Sequence, residues 1–171
     1  MLVTDLIDYI DNTIKNCVTE TKQFGLCHLL QGDNETFPAT IEANAKKAVP
    51  DDRYLIVTYH RLLNGNIDPR EDLSFGRRIT GQNSQRVRMV VFVRFDQDET
   101  KIDDIINAMP DNFEVTDYQF CNVSRNISLI RDRDSVWTAE FSQAYKDRYQ
   151  KKWNVYAVEY DLQYIKCNVC V

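Results

Sequence analysis

Two glycines, Gly76 and Gly81, are spaced as in a P-loop, the segment that cradles the phosphates of a bound nucleotide. A P-loop continues with a lysine that reaches the β- and γ-phosphates and with a serine or threonine that holds magnesium. Gln82 and Asn83 occupy these two positions. The G-x-G-x-x-G pattern of dinucleotide-binding proteins does not follow any predicted strand. The sequence therefore does not predict nucleotide-dependent chemistry.

Histidine is the commonest catalytic base, and the chain contains two, His28 and His60. His28 follows Cys27 directly, and adjacent residues of an extended segment point to opposite faces, so the two cannot act as a catalytic pair. His60 lies in a predicted strand over 54–63. We interpret it as a hydrogen-bonded histidine within a sheet.

Paired carboxylates, a second source of acid–base chemistry, occur at Asp51-Asp52 and Glu71-Asp72. Both pairs lie in polar segments, where water would leave the pKa of each carboxyl near its usual range. We therefore predict no catalytic residues and expect that the chain is not an enzyme. A small enzyme of unrecognised type remains an alternative.

The cysteines could bind metal or form disulfides, and there are five of them: Cys17, Cys27, Cys121, Cys167 and Cys170. The last two have the spacing of half a zinc knuckle. Only Cys27-His28 offers a second pair of ligands, and sequence neighbours chelate poorly. We expect reduced thiols, no metal, no cofactor, and a C-terminal tail over 167–171.

A basic stretch stands out in a chain whose formal net charge is −5. Its candidate subunit or partner contacts are Arg70, Arg77, Arg78, Arg86 and Arg88. Much of it falls in the polar segment 67–85, which we predict to be a long connecting loop or a protruding hairpin. Such a loop is solvated, docks a protein partner, or touches DNA phosphates, and the residues leave these three interpretations open.

Aromatic side chains recur at every fourth residue near the C-terminus, which on a helix places them close to one side. The stripe consists of Trp137, Phe141, Tyr145, Tyr149 and Trp153. It packs on the sheet or forms an interface with a neighbouring subunit.

The periodicity of the apolar residues predicts the remaining elements. Residues 2–18 and 102–109 have helical spacing, whereas 86–95 and 156–164 alternate as strands do, with Phe95 on the apolar face of its strand. We predict a single α+β domain over 1–171. Its sheet would be mixed or mainly antiparallel, flanked by two or three helices.

No membrane segment is expected, because the longest apolar run, 89–93, is far shorter than the roughly 20 residues of a membrane-spanning helix. Asp5, Asp8 and Asp11 interrupt the apolar residues near the N-terminus. A secretory signal would have a continuous apolar stretch there, so we expect the protein to be made in a cytoplasm and not exported.

The order of the predicted elements resembles that of small α+β proteins that form neck or tail-completion rings in tailed bacteriophages, including the tail-terminator type. Three segments and a tyrosine-rich closing strand look like the neck ring proteins of phages that infect Bacteroides, such as the crAss-like group. These segments are Phe24-Gly-Leu-Cys-His-Leu-Leu30, Tyr54-Leu-Ile-Val-Thr-Tyr-His-Arg61 and Val136-Trp-Thr-Ala-Glu-Phe141. The resemblance covers most of the chain.

The resemblance implies a virion structural protein that assembles as a cyclic ring between the portal and the tail, with double-stranded DNA passing through. Its partners would be copies of itself and adjacent portal, neck or tail proteins. It would lie in the host cytoplasm during assembly and in the virion neck afterwards. A cytoplasmic adaptor that binds proteins through the aromatic helix face is the alternative.

Overall fold

The computed structural model describes residues 3–33, 35–41, 44–63, 82–115, 118–123, 128–136, 143–149 and 151–166. Within them the chain forms four helices and eight strands. The helices are α1 Val3–Cys17, α2 Lys101–Ala108, α3 Arg133–Val136 and α4 Gln143–Tyr149. The strands are β1 Thr21–Gln31, β2 Thr36–Thr40, β3 Ile56–Leu62, β4 Gln82–Arg94, β5 Asn112–Val115, β6 Tyr118–Val123, β7 Ser128–Ile130 and β8 Trp153–Lys166.

The strands form one mixed sheet in the order β2-β1-β3-β4-β8-β6-β5, and β7 also pairs with β8. β1 and β3 are parallel, and the other paired strands are antiparallel. The predicted fold class, one α+β domain with a mixed sheet flanked by helices, is confirmed. None of the helices within the described ranges is long and apolar enough to cross a membrane.

The first face of the sheet is covered by α1 and α2. Leu6, Ile7, Ile10 and Ile14 of α1 are fully buried, and they recur at the three- and four-residue spacing that places side chains on one side of a helix. They join a core that contains the α2 isoleucines and the inward side chains of β4 and β8. Burying side chains of this size contributes about 1.5–3 kcal/mol each, which holds α1 on the sheet.

The second face carries a separate core under α3 and α4. Val57, Phe92 and Ala157 point to this face, and Val136 of α3 and Tyr149 of α4 pack against them. Alternation along the central strands therefore supplies apolar side chains to both faces.

Strand β4 differs from its predicted bounds at both ends. It begins at Gln82, four residues before the predicted Arg86, because its backbone pairs with β8 as far as Gln82 and Ile165. Hydrogen bonding between strands does not depend on apolar side chains, so alternation missed this extension. Of the two predictions for 67–85, a connecting loop is wrong over 82–85, which belong to β4, and a protruding hairpin stays a prediction because 67–81 lie outside the described residues. Phe95 follows the strand and is 46% exposed instead of facing the core.

The aromatic stripe does not form one helix through Trp153, and that prediction is wrong. α4 ends at Tyr149, and Trp153 is the first residue of β8. Pairing of β8 with the whole of β4 outweighed the local helical spacing. Tyr149 and Trp153 each meet Phe92 edge-on, with ring centroids 6.4 Å apart, so both pack on the sheet. Trp137 and Phe141 lie outside the described residues, as does the side chain of Tyr145.

Candidate functional site

Three polar side chains from three elements meet inside the first core. The Nε2 atom of His60, on β3, lies 2.9 Å from Oδ1 of Asp11, on α1. Its Nδ1 atom lies 3.0 Å from the hydroxyl oxygen of Tyr160, on β8. His60 and Tyr160 are fully buried, and Asp11 is 5% exposed. The interpretation of His60 as a hydrogen-bonded histidine within the sheet is confirmed.

One arrangement of protons satisfies all three groups. The Tyr160 hydroxyl donates to Nδ1 of His60, and the Nε2–H group of His60 donates to the Asp11 carboxylate. Burial, and then the charge of Asp11, raise the pKa of Tyr160 well above its usual value. Tyr160 therefore remains a phenol, which is a poor nucleophile. The arrangement links α1 to the centre of the sheet and orients the imidazole.

The sequence contained a signal for this cluster that the analysis of motifs missed. Ile7, Ile10 and Ile14 define the buried side of α1, and Asp11 lies within the same stripe, four residues after Ile7 and three before Ile14. A carboxylate in an apolar stripe needs a buried partner. His60, which lies in the predicted strand 54–63, was a candidate for that partner.

An open cleft of about 400 Å³ adjoins Asp11 between α1 and β1. Lys15, Lys22 and Gln23 are among the residues that line it. The Gln23 side-chain amide donates to the backbone oxygen of Asp11 over 2.6 Å, and this bond ties the irregular part of β1 to α1. The cleft brings lysines and carboxylates together.

Two of the predicted contact arginines lie side by side on the second face of the sheet and bind carboxylates of β8. The Nε atom of Arg88 lies 2.9 Å from Oε1 of Glu159. Arg86 lies 3.2 Å from Glu159 and 3.4 Å from Asp161. Burial acts to raise the pKa of Glu159, but hydrogen bonds from both arginines outweigh it, so this pKa is lowered. The charges of Arg86 and Arg88 are thus largely neutralised within the sheet.

The structure does not bring the other predicted contacts into this group, since Arg70, Arg77 and Arg78 lie outside the described residues. One atom of Arg88 stays unsatisfied: its Nη1 is buried without a hydrogen-bond partner. The candidate contacts therefore divide into an ion-paired part on β4 and a part beyond the described residues.

The cysteines within the described residues show two environments. Cys27 is buried, and burial, followed by the charge of Asp11, raises its pKa to about 12. Cys17 is exposed at the end of α1. No group of three potential metal ligands occurs in the parts of the chain that the structure describes. Cys167 and Cys170 fall outside those parts.

Comparison with known proteins identified no related protein. No known family matches the sequence. No curated protein is significantly similar to it, and no solved structure significantly resembles the fold.

Proposed function

We propose that this chain is a structural subunit of the neck of a tailed bacteriophage. It forms a ring between the portal and the tail and lines or seals the conduit through which DNA passes. The order of the elements supports this proposal. The predicted order is a helix, a strand pair, a long polar insertion, a strong strand, a short helix, and then strands and a helix before a final strand. The described elements agree with it in the N-terminal helix, the strand pair β1–β2, the strong strand β4, the short helix α2 and the final strand β8, whereas residues 67–81 of the insertion lie outside the described residues. This order is the feature on which the resemblance to neck and tail-completion proteins rests.

The observation that carries the proposal is the connection between β3 and β4. These strands are antiparallel neighbours, with a register that runs from Ile56–Val93 to Leu62–Val87. Residues 64–81 therefore join adjacent strands at one end of the sheet. β4 continues beyond the last pair with β3 and stays paired with β8 as far as Gln82. A long connection at one end of a sheet is suited to contact between neighbouring subunits in a ring.

The alternative function, an adaptor that binds proteins, is less well supported because part of its proposed binding surface is buried. It required an exposed aromatic helix face, yet Trp153 is 2% exposed and Tyr149 is half-buried against Phe92. Both rings are occupied by packing on the sheet.

The test is the location and copy number of the chain in purified particles. Quantitative mass spectrometry of virions, normalised to the portal protein, would give its copy number. Electron microscopy of the neck would locate it. We expect a small fixed multiple per particle and density for a ring. A chain that is abundant in infected cells but missing from particles would refute the proposal.

A further inference from the structure

A basic surface lies beside α4 on the second face of the sheet. We define the basic surface as Lys47, Arg148, Lys151 and Lys152, and the carboxylates paired with it are Glu35 and Asp52. Lys47 and Arg148 share one oxygen of Glu35, to which Arg148 lies at 3.4 Å. Lys152 binds Asp52 at 2.7 Å, and both side chains are more than half exposed. Asp147 of α4, adjacent to Arg148, is also exposed, so four cations against three carboxylates leave this surface with a small excess of positive charge.

The cations of the basic surface outnumber the anions within their reach. The pKa of Lys47 is lowered by burial and then by the charge of Arg148. Oε2 of Glu35 is buried without a hydrogen-bond partner, so the two cations depend on the other oxygen of the same carboxylate. A further carboxylate placed here would relieve the repulsion between Lys47 and Arg148.

An acidic surface surrounds the start of α2 on the opposite face. We define the acidic surface as Asp98, Glu99, Asp103 and Asp104, all of which are exposed. Lys101 lies 3.4 Å from Asp104, and Arg131 lies 3.7 Å from Asp103. Four carboxylates against two cations leave negative charge. The acidic surface thus has a net charge opposite in sign to that of the basic surface.

The acidic surface also contains an apolar side chain suited to an interface. Phe95 lies between β4 and α2, three residues before Asp98, and it is 46% exposed. Protein interfaces combine a few aromatic side chains with a charged rim, and the aromatic residues contribute much of the affinity. Phe95 is such an aromatic residue, and the carboxylates of the acidic surface would form the charged rim around it.

The helices of the two surfaces, α2 and α4, lie on opposite faces of the sheet, and the surfaces approach each other at one end, where the backbone N–H of Phe95 donates to the backbone oxygen of Lys152. Ile102 and Ile105 of α2 belong to the first core, whereas Tyr149 of α4 packs on the second. A two-fold dimer brings the same patch of both subunits together, and here that would oppose like charges. Contact between unlike surfaces repeats head to tail and closes into a ring when the rotation allows.

We infer that the basic surface of one subunit binds the acidic surface of a second copy of the same chain, head to tail. The inference rests on the proposed function, because it assigns the contact between neighbours of the ring. Phe95 lies at this contact, and the ion pairs around it set orientation and specificity. Since such pairs are solvent-exposed before association, salt weakens the contact.

The test is a charge swap on the full-length protein, read out by sedimentation velocity from micromolar to about 1 mM protein. The acid-reversed variant carries Glu99→Lys and Asp103→Lys. The base-reversed variant carries Lys151→Glu and Lys152→Glu. A control variant carries Glu20→Lys and Asp134→Lys, which reverse two exposed carboxylates outside both surfaces. Thermal unfolding of each variant checks that it folds.

We expect the wild type to associate, and to do so less at high salt. Each reversed variant should associate at least about tenfold more weakly, because like charges then oppose each other. Combining all four reversals in one chain, or mixing the two variants, restores opposite charges and should restore association. Phe95→Ser should weaken association without changing its salt dependence. The control variant should behave as the wild type.

The inference is overturned if the wild type remains monomeric over the whole range. It is also overturned if the reversed variants associate as the wild type does, or if the combined variant fails to recover. Locating the chain in the virion tests the proposed function independently of the contact between subunits. Presence in a neck ring together with charge-insensitive association refutes the contact alone. Charge-dependent association of a chain that is missing from particles refutes the neck assignment and leaves the contact intact.

Discussion

The Asp11 carboxylate adds a polar link between α1 and the centre of the sheet to the apolar packing of that helix. Asp11 occupies a buried position that an apolar side chain would ordinarily fill, and it is accepted there because His60 donates a hydrogen bond to it. Tyr160 completes the other side of the imidazole. The cluster connects a helix to two strands, so the loss of one member leaves its neighbours buried without partners.

The stability of variants tests this reading. We expect His60→Leu to lower the free energy of unfolding by about 3–5 kcal/mol, because it leaves the Asp11 carboxylate buried and unpaired. Tyr160→Phe should cost about 1 kcal/mol. The double variant Asp11→Leu with His60→Leu should be more stable than His60→Leu alone, since it removes the unpaired charge.

Urea unfolding monitored by circular dichroism measures these differences. The control is Asn12→Ala, which changes an exposed neighbour on the same helix and should shift the stability by no more than about 0.5 kcal/mol. Additive effects of the Asp11 and His60 substitutions would contradict a coupled cluster.

Buried acids predict how stability changes at high pH. The pKa of Cys27 is raised by burial to about 12 from an ordinary value of 9.0. Burial also raises the pKa values of Tyr59 and Tyr160. These groups stay protonated in the folded chain at a pH where the unfolded chain ionises them. The folded state therefore loses stability as the pH rises from about 9 to 12.

Each such group lowers the free energy of unfolding by about 1.4 kcal/mol per pH unit once the pH exceeds the pKa of that group in the unfolded chain, which is 9.0 for Cys27 and 10.0 for the tyrosines. Cys27→Ala should make the loss less steep by that amount between pH 9 and 12, as measured by urea unfolding at a series of pH values. Cys17→Ala, which removes an exposed thiol, serves as the control. An unchanged slope in Cys27→Ala would show that the buried thiol titrates normally.

Among the strands, β1 has an irregular segment that determines how closely it approaches α1. The pairing of β1 with β3 shifts register between Gln23 and Leu26. Gly25 lies within this bulge with a φ of 65°, in the left-handed region that glycine adopts without strain. A Cβ atom there would lie 3.3 Å from Oδ1 of Asp8 on α1. The bulge therefore allows β1 to pass close to α1 beside the cleft.

Two substitutions test whether the positive φ angles of Gly25 and Glu20 affect stability: one introduces a side chain and the other removes one. Gly25→Ala should lower the free energy of unfolding by about 1–2 kcal/mol, because alanine is strained at this φ. Glu20, just before β1, has a φ of 57°, so Glu20→Gly removes a similar strain and should not destabilise the fold. Thermal and urea unfolding report both effects. Equal destabilisation by the two changes would show that φ is not the cause.

The whole molecule is organised around the pairing of β4 with β8. β8 pairs with β4 along all of β4 and carries β6 and β7 on its other side. The two cores lie on the two faces of these central strands. The strand pairs and both cores of the described residues are formed without residues 64–81, and for this reason we expect changes within 64–81 to affect assembly more than folding.

Deleting residues 68–77 tests this separation. The remaining connection, 64–67 and 78–81, extends at about 3.4 Å per residue and is long enough to close the gap between β3 and β4. Shortening a loop changes its closure entropy by less than about 1 kcal/mol, so thermal stability should be nearly unchanged. We expect less incorporation into particles, measured by mass spectrometry of virions from cells that express the variant.

A second variant distinguishes charge from length. Arg70→Gln, Arg77→Gln and Arg78→Gln remove the positive charge and keep the chain length. Lys15→Gln, Lys22→Gln and Lys46→Gln change the net charge equally at exposed or half-exposed positions beside the cleft, outside both the acidic and the basic surface. If the first set lowers incorporation and the second does not, the arginines of the connection carry the contact. A deletion that unfolds the domain would instead show that the connection supports the fold.

Local periodicity determined much of the fold. The apolar stripe of α1, the spacing of α2 and the alternation in β4 and β8 each specify an element, because one side of that element must be buried. Pro38 is consistent with the position of β2 as the outermost strand at its end of the sheet, since proline cannot donate to a second neighbouring strand.

Contacts between segments far apart in the sequence set the features of the fold that periodicity did not predict. The strand extension at Gln82 and the strand conformation of Trp153 depend on pairing between β4 and β8, which lie far apart in the sequence. The same holds for the bonds of Asp11 to His60 and of Arg88 to Glu159, each of which joins residues on different elements. Periodicity reports which side of an element is buried, whereas the partner of a buried or charged group is fixed by the three-dimensional arrangement of the elements.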